Sequence, residues 1–303
     1  MKTELELFHH AEQIYHQYNE DRYPEAIAAF QLLLAHHPKN VKGWHMLSTM
    51  QACNQDFDDA IQSIDRAIQL DKGGVRLWRQ KHTLLSKISR FDFREGIFFD
   101  PETQQVVELI TFQSPEHIQQ EIIFVCDAII GLVPGDYFEL GSLYENKGEA
   151  YALLADWDKA IAAYKAAIEV HKISEDDFEL TNCHVCIAKL YEAVGDYEKA
   201  LQWYDTSLEL KFEEILLPSK ASILKKLGKV IEAEQLYNEF TQLVVAKLEE
   251  TLDAAYMFQL STIYQERGLL PEAIQILIDW EAKVRQYKGL KEYIAECKAA
   301  LSR

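Results

Sequence analysis

GDYEKALQWYDTSLEL, Gly195 to Leu210, recurs in variant form along most of the chain. Its alanine, Ala200, has a large aromatic or apolar residue three places before it and another four places after. The same arrangement appears as Tyr23/Ala26/Phe30, Phe57/Ala60/Ile64, Trp157/Ala160/Tyr164, Tyr197/Ala200/Tyr204, Val230/Ala233/Tyr237 and Leu270/Ala273/Leu277. The alanines stand 34, 100, 40, 33 and 40 residues apart, so five intervals carry six copies with one gap. Residues three and four apart share a helix face, and an alanine between two large neighbours lets a second helix approach closely. Each copy therefore reads as one helix of a packed pair.

The partner helix precedes it, as in VKGWHMLSTMQACNQ, VRLWRQKHTLLSK, GSLYENKGEAYALLA, TNCHVCIAKLYEAVG, LPSKASILKKLG and AYMFQLSTIYQERG. Gly195, Gly228 and Gly268 fall where this first helix must stop, a place that favours a left-handed residue. Pro24 and Pro271 fall where the second begins, in a first helical turn that needs no amide donor.

A helix pair of about 34 residues in this register resembles the tetratricopeptide repeat. The matching residues are Trp44, Leu47, Phe57, Ala60, Ala67 and Leu70 in one unit, and Tyr144, Gly148, Tyr151, Trp157, Ala160, Tyr164 and Ala167 in another. The resemblance implies an all-α fold: a right-handed α-solenoid of about seven helix-turn-helix repeats forming a single domain over 1–303. The repeats are expected near 4–38, 41–72, 75–134, 138–172, 175–211, 214–250 and 253–285, with a terminal capping helix at 290–302.

The third repeat is interrupted. Trp78 stands 34 residues after Trp44, but where the next alanine is due the chain reads RFDFREGIFFDPETQQVVELITFQSP. The second helix of this repeat resumes at about 115–132 from a Ser114 cap and Pro115, which places Ile122 where residue 94 was due, an excess of 28 residues. The insertion, 90–114, has two readings. In one, Ile97–Phe99 and Gln105–Ile110 are strands about a turn at Asp100 to Thr103. In the other, Asp100 caps a helix starting at Pro101 with Val106, Leu109 and Ile110 on one face. The 40-residue intervals are expected to reflect lengthened helices, one beginning near Ser174. Phe240 and Trp280 replace a small residue in the last two repeats and predict wider helix spacing there.

The 303 residues carry 49 acidic and 31 basic side chains, a net charge of −18. That field opposes nucleic acid and anionic lipid, which need a basic footprint. No apolar run suits a signal peptide or a membrane span. Five scattered cysteines, Cys53, Cys126, Cys183, Cys186 and Cys297, read as reduced thiols in a cytoplasmic protein.

Signatures of catalysis are missing. KLGKVIEA, Lys226 to Ala233, lacks the glycines of a phosphate loop, and no Gly-x-Ser-x-Gly elbow occurs. Cys183-His184-Val185-Cys186 has the spacing of half a zinc site without a second pair, so neither metal nor cofactor is assigned. His9, His10 and His16 read as a solvated helix face. An enzyme remains open only if the insertion completes a pocket with convergent polar groups.

The resemblance implies that first helices line a concave groove that holds a segment of another protein. The residues expected to face it include Lys42, His45, Met46 and Thr49; Arg76, Arg79, Gln80 and Thr83; Ser142, Glu145, Asn146 and Glu149; Asn182, Val185, Cys186 and Lys189; Ser219, Ser222, Lys225 and Lys226; and Phe258, Gln259 and Thr262. Basic spots are expected at Arg76/Arg79 and Lys189/Lys225, with an acidic one at Glu145/Glu149. Phe91, Phe93, Phe98 and Phe99 of the insertion offer a second contact, or else fold the insertion onto the array. The implied function is a non-catalytic interaction module: adaptor, scaffold, assembly chaperone or inhibitory partner. The alternative is a sensor whose groove takes a peptide or small-molecule signal.

Overall fold

A computed structural model describes residues 3–15, 22–94, 96–102, 105–107, 109, 111–112, 114–210, 214–251 and 254–281. The expected capping helix at 290–302, His16, Cys297 and the Trp280 side chain lie outside what is described. Contacts gather the chain into two compact units, Met1–Cys183 and His184–Arg303.

The first unit is a stack of helix pairs: α1 (Glu4–Tyr15) with α2 (Tyr23–His36), α3 (Val41–Cys53) with α4 (Phe57–Leu70), α5 (Val75–Ile88) with α6 (Pro115–Leu132), and α7 (Tyr137–Leu153) with α8 (Trp157–Ser174). Helix α9 (Asp177–Ala193) contributes its first turns to this unit and the rest to the second. There it is followed by α10 (Tyr197–Leu210), a short 3-10 turn at Glu214–Leu216, α11 (Leu217–Lys226), α12 (Val230–Thr251), α13 (Ala254–Glu266) and α14 (Leu270–Glu281). This is the all-α solenoid fold that the repeat predicts.

The repeat alanines do what their size allows. Ala60, Ala160, Ala200 and Ala273 have no exposed surface, and Ala26 and Ala233 are 2% and 1% exposed. At Gly148 the approach is closer still, since an added Cβ would stand 2.7 Å from the Tyr164 ring. A hydrogen bond repeats with the same period: Trp44 Nε1 donates to the Pro38 carbonyl and Trp78 Nε1 to that of Lys72, each at 2.9 Å. Both indoles thus satisfy their one donor while the ring packs against a core cluster.

The first helices end as expected at Gly195, Gly228 and Gly268, whose φ angles are 81°, 78° and 80°. The equivalent residues of two other repeats, Gln55 and Ala155, adopt the same left-handed conformation at 67° and 56° without being glycine. In all five the next amide reaches back five residues, for example Asp56 N to Gln51 O and Asp196 N to Tyr191 O, each 2.8–2.9 Å. The cap geometry belongs to the repeat rather than to the glycine.

Two expectations about lengthened helices are refined. The extra residues between Ala160 and Ala200 extend α8, which runs 18 residues to Ser174. Glu175, at φ 55°, then ends it, and α9 begins at Asp177 rather than near Ser174. Asp176 accepts the Glu179 amide at 3.1 Å and so fixes the start. Between Ala233 and Ala273 the extra length lies in α12, at 22 residues.

The insertion is a small antiparallel sheet, β1 (Asp92–Arg94), β2 (Ile97–Phe99) and β3 (Val106–Val107), in the order β1-β2-β3. The hairpin reading holds, with Phe98 opposite Val107 and Phe99 opposite Val106. The helical reading from Pro101 does not. Strand β1 was not expected; it pairs Arg94 with Ile97, and Gly96, at φ 85°, supplies the left-handed residue such a tight turn needs. Helix α6 resumes at Pro115, with the Ser114 hydroxyl accepting the His117 amide at 3.4 Å.

Candidate functional site

In the first unit the first helices α1, α3, α5 and α7 are tied to one another by side chains. Lys42 Nζ on α3 donates to Glu12 on α1 at 3.1 Å. Gln80 Nε2 on α5 donates to Ser48 Oγ and Thr49 Oγ1 on α3 at 3.1 and 3.0 Å. Arg79 on α5 forms a two-pronged pair with Glu139 on α7, its Nε donating at 2.6 Å. Within the unit, polar side chains thus link each of these helices to the next.

Arg76, Arg79 and Thr83 are exposed, while His45, Thr49 and Asn146 are half-buried and Glu149 is exposed. Of the expected basic spot, Arg79 is engaged by Glu139 and stands 4.0 Å from Asp136. Arg76 has no ion pair among the described residues. Burial, and next the Arg76 charge, hold the His45 imidazole below its usual range. Asn182 is exposed, with Nδ2 3.4 Å from a Glu179 oxygen. In the second unit Lys189 and Lys225 are exposed, and Lys226 is bonded to Glu192 at 2.7 Å.

Glu145 departs from the expectation. Instead of standing beside Glu149 on the groove face, its carboxylate turns between helices, where Oε1 lies 2.5 Å from His171 Nε2 on α8. Cys183 Sγ on α9 donates to the same oxygen at 3.4 Å. His171 and Cys183 are buried at 3% and 0% exposure. Burial pushes the Glu145 carboxyl up from its usual range, and the nearby Glu179 charge adds to the rise, against the pull of its hydrogen bonds to His171 and Cys183. The acidic spot expected at Glu145/Glu149 thus reduces to Glu149. Sequence reasoning reached Cys183 but paired it with Cys186, because spacing along one helix is visible in a sequence and convergence of three helices is not.

The phenylalanines of the insertion serve mainly to attach it. Phe91, Phe98 and Phe112 are buried at 8%, 3% and 2% exposure in the cluster that also holds Phe57, Ile88 and Ile118. The Phe91 ring meets Phe57 edge-on with centroids 5.3 Å apart. Phe93 and Phe99 are half-buried, and Ile97 and Val106 are the exposed apolar residues of the sheet.

Beside the sheet lies a cleft of about 370 Å³ lined by Asn54, Gln55, Asp56, Asp58, Asp59, Asp100 and Gln105 to Val107. Three of its four carboxylates are committed to holding the chain. Asp58 Oδ1 accepts the Thr111 amide and Oδ2 the Gln62 side chain, both at 2.6 Å. Asp100 Oδ1 accepts the Glu102 amide at 2.8 Å, and Asp56 takes the Asn54 side-chain amide at 2.7 Å. Among the described residues, no serine, threonine, cysteine or histidine lines this cleft. No described helix is long and apolar enough to cross a membrane.

Family models described as tetratricopeptide repeats match residues 12–75 and 139–211. No curated protein matches the chain in sequence. Among solved structures, the MamA protein superposes with a TM-score of 0.50 at 14% identity, over 70% of this chain and 95% of its own. A tetratricopeptide repeat protein from Parabacteroides merdae superposes with a TM-score of 0.50 at 12% identity, over 97% of this chain and 98% of its own. At such identities the likeness is one of fold. With helix pairs in a common register, buried alanines at their crossings and matches to the repeat's own models, residues 12–75 and 139–211 are tetratricopeptide repeats.

Proposed function

We propose that the polar face shared by α3, α5 and α7 receives an extended or helical segment of another protein. On this reading the chain is a non-catalytic interaction module, acting as adaptor, scaffold, assembly chaperone or inhibitory partner. The observation that carries it is that polar side chains link neighbouring first helices while Arg76, Thr83 and Glu149 stay exposed.

The chemistry favours an acidic segment. Arg76 has no ion pair among the described residues, and arginine gives a carboxylate two parallel hydrogen bonds. Arg79 already makes such a pair with Glu139, so a partner carboxylate would have to compete for it. Lys189 and Lys225 extend the same preference to the second unit, against a chain of net charge −18. None of the described cysteines forms a disulfide, in keeping with a reducing, cytoplasmic setting.

The test is an affinity capture from native lysate with the wild type, the variant Arg76→Glu/Lys189→Glu/Lys225→Glu, and Arg66→Glu, an exposed residue of the second helix α4, as control. A partner bound by wild type and control and lost by the triple variant supports the reading. A partner held equally by all three proteins places binding elsewhere and overturns it. Exposed substitutions of this kind leave the thermal midpoint nearly unchanged, which separates lost binding from lost fold.

A further inference from the structure

We propose that Glu145, His171 and Cys183 form a binding site for a divalent transition-metal ion with the ligand preference of zinc. One oxygen, one imidazole nitrogen and one sulfur from α7, α8 and α9 lie within 4.8 Å of one another. These are the three ligand types zinc accepts, and three protein ligands with one open position is a recognised arrangement for it. Zinc bonds of about 2.0–2.3 Å set tetrahedral ligand atoms about 3.3–3.6 Å apart. Glu145 Oε1 and Cys183 Sγ are already 3.4 Å apart, and the Glu145–His171 contact of 2.5 Å needs to open by only about 1 Å.

The surroundings are able to take an ion. A carboxylate, an imidazole and a thiol converge between helices on one oxygen, Glu145 Oε1, which already bonds both of the others, and their burial costs stability unless each stays satisfied. The His171 ring packs closely against Gly141 and is 3% exposed, which restricts its orientation. Glu145 keeps 20% of its side-chain surface, which gives an ion a way in and leaves the fourth position open to water. Glu179, whose charge reaches Glu145, adds negative potential at the mouth. Coordination would displace the thiol proton and the proton between His171 and Glu145, both released to solvent. Cys186 is not one of the three ligands, so the Cys-x-x-Cys spacing is incidental.

The experiment uses the full chain, stripped with chelator and titrated with zinc by calorimetry and with cobalt(II) by absorbance. The expected result is one equivalent bound, with a thiolate-to-cobalt charge-transfer band in the near ultraviolet. Cys183→Ser removes that band and Cys186→Ser keeps it. Glu145→Gln and His171→Gln each weaken zinc at least tenfold. Thermal melts of the metal-free variants show whether each is folded, and the conservative Cys183→Ser keeps the test valid should His171→Gln fail to fold. Absence of a band at excess cobalt overturns the proposal, and so does a band that survives Cys183→Ser.

Discussion

The imidazole of His171 fills the space a side chain at position 141 would need. A β-carbon added to Gly141 would stand 2.9 Å from its Nε2, 3.0 Å from its Nδ1 and closer still to Cε1. Glycine is required at that turn of α7 because a ring from α8 lies against the backbone, not because the backbone is unusual. Gly141→Ala must push the ring off Glu145, and overpacking of this kind costs about 1–3 kcal/mol. A lowered thermal midpoint is expected. The double variant Gly141→Ala/His171→Ala removes the clash, so its loss should fall well short of the sum of the two single losses.

The five left-handed caps give a second prediction with opposite signs. A residue with a β-carbon pays about 1–2 kcal/mol to hold this conformation, part of which glycine returns as unfolded-chain entropy. Ala155→Gly and Gln55→Gly should each stabilise by about 0.5–1 kcal/mol, and Gly195→Ala should destabilise by a similar amount. Chemical denaturation of the single variants checks it; equal signs at 155 and 195 would show that the two caps are not equivalent.

What the sequence disclosed was whatever is local. Helices α3, α4 and α6 begin and end where caps, prolines and the alanine register place them, because Asn40, Ser114 and Pro115 act within one turn of their own position. Strand β1 is not legible from its own residues, because DFR is only three residues long and Gly96 marks a turn without saying what pairs across it. Helical periodicity puts Glu145 on the groove face, one turn from Glu149. Periodicity ranks the faces of one helix but says nothing of His171, 26 residues away, whose ring draws the carboxylate inward. Arg79 was read as available for the same reason, since its partner Glu139 lies 60 residues on, beyond the insertion.

Lys81 supplies a third prediction. Its side chain is 7% exposed, and Nζ stands 2.7 Å from Asp65 on α4 and 2.9 Å from Glu121 on α6. Burial works against its charge, but hydrogen bonds and charges from Asp65 and Glu121 outweigh burial and raise its pKa. Lys81→Met leaves both carboxylates facing one another without a cation. Because each is partly open to water, the loss should be about 2 kcal/mol, below the range for a fully buried pair. A raised lysine pKa stabilises fully below the unfolded value of about 10.4 and is lost as pH climbs through the folded value. The gap between wild type and variant should therefore hold steady from neutral pH to about 10 and narrow above it.

Asp58 decides how firmly the insertion is held. It sits near the start of α4, 9% exposed, and bridges Gln62 on its own helix and the Thr111 amide, 53 residues away, at 2.6 Å each. The Thr111 bond fastens the far end of the insertion, whereas Phe91 fastens the near end against Phe57. Asp58→Ala strands the Thr111 amide, at a cost of about 1–3 kcal/mol. The loss should be local: hydrogen exchange and limited proteolysis should quicken at residues 97–112, with α3 and the body of α4 little changed. Asp58→Asn keeps an oxygen for Thr111, and Gln62 can turn its amide to accept from the new nitrogen, so its exchange pattern should stay close to wild type. If Asp58→Ala exchanged no faster there, the aromatic contacts alone would be holding the sheet, and Phe91→Ala would be the substitution that releases it.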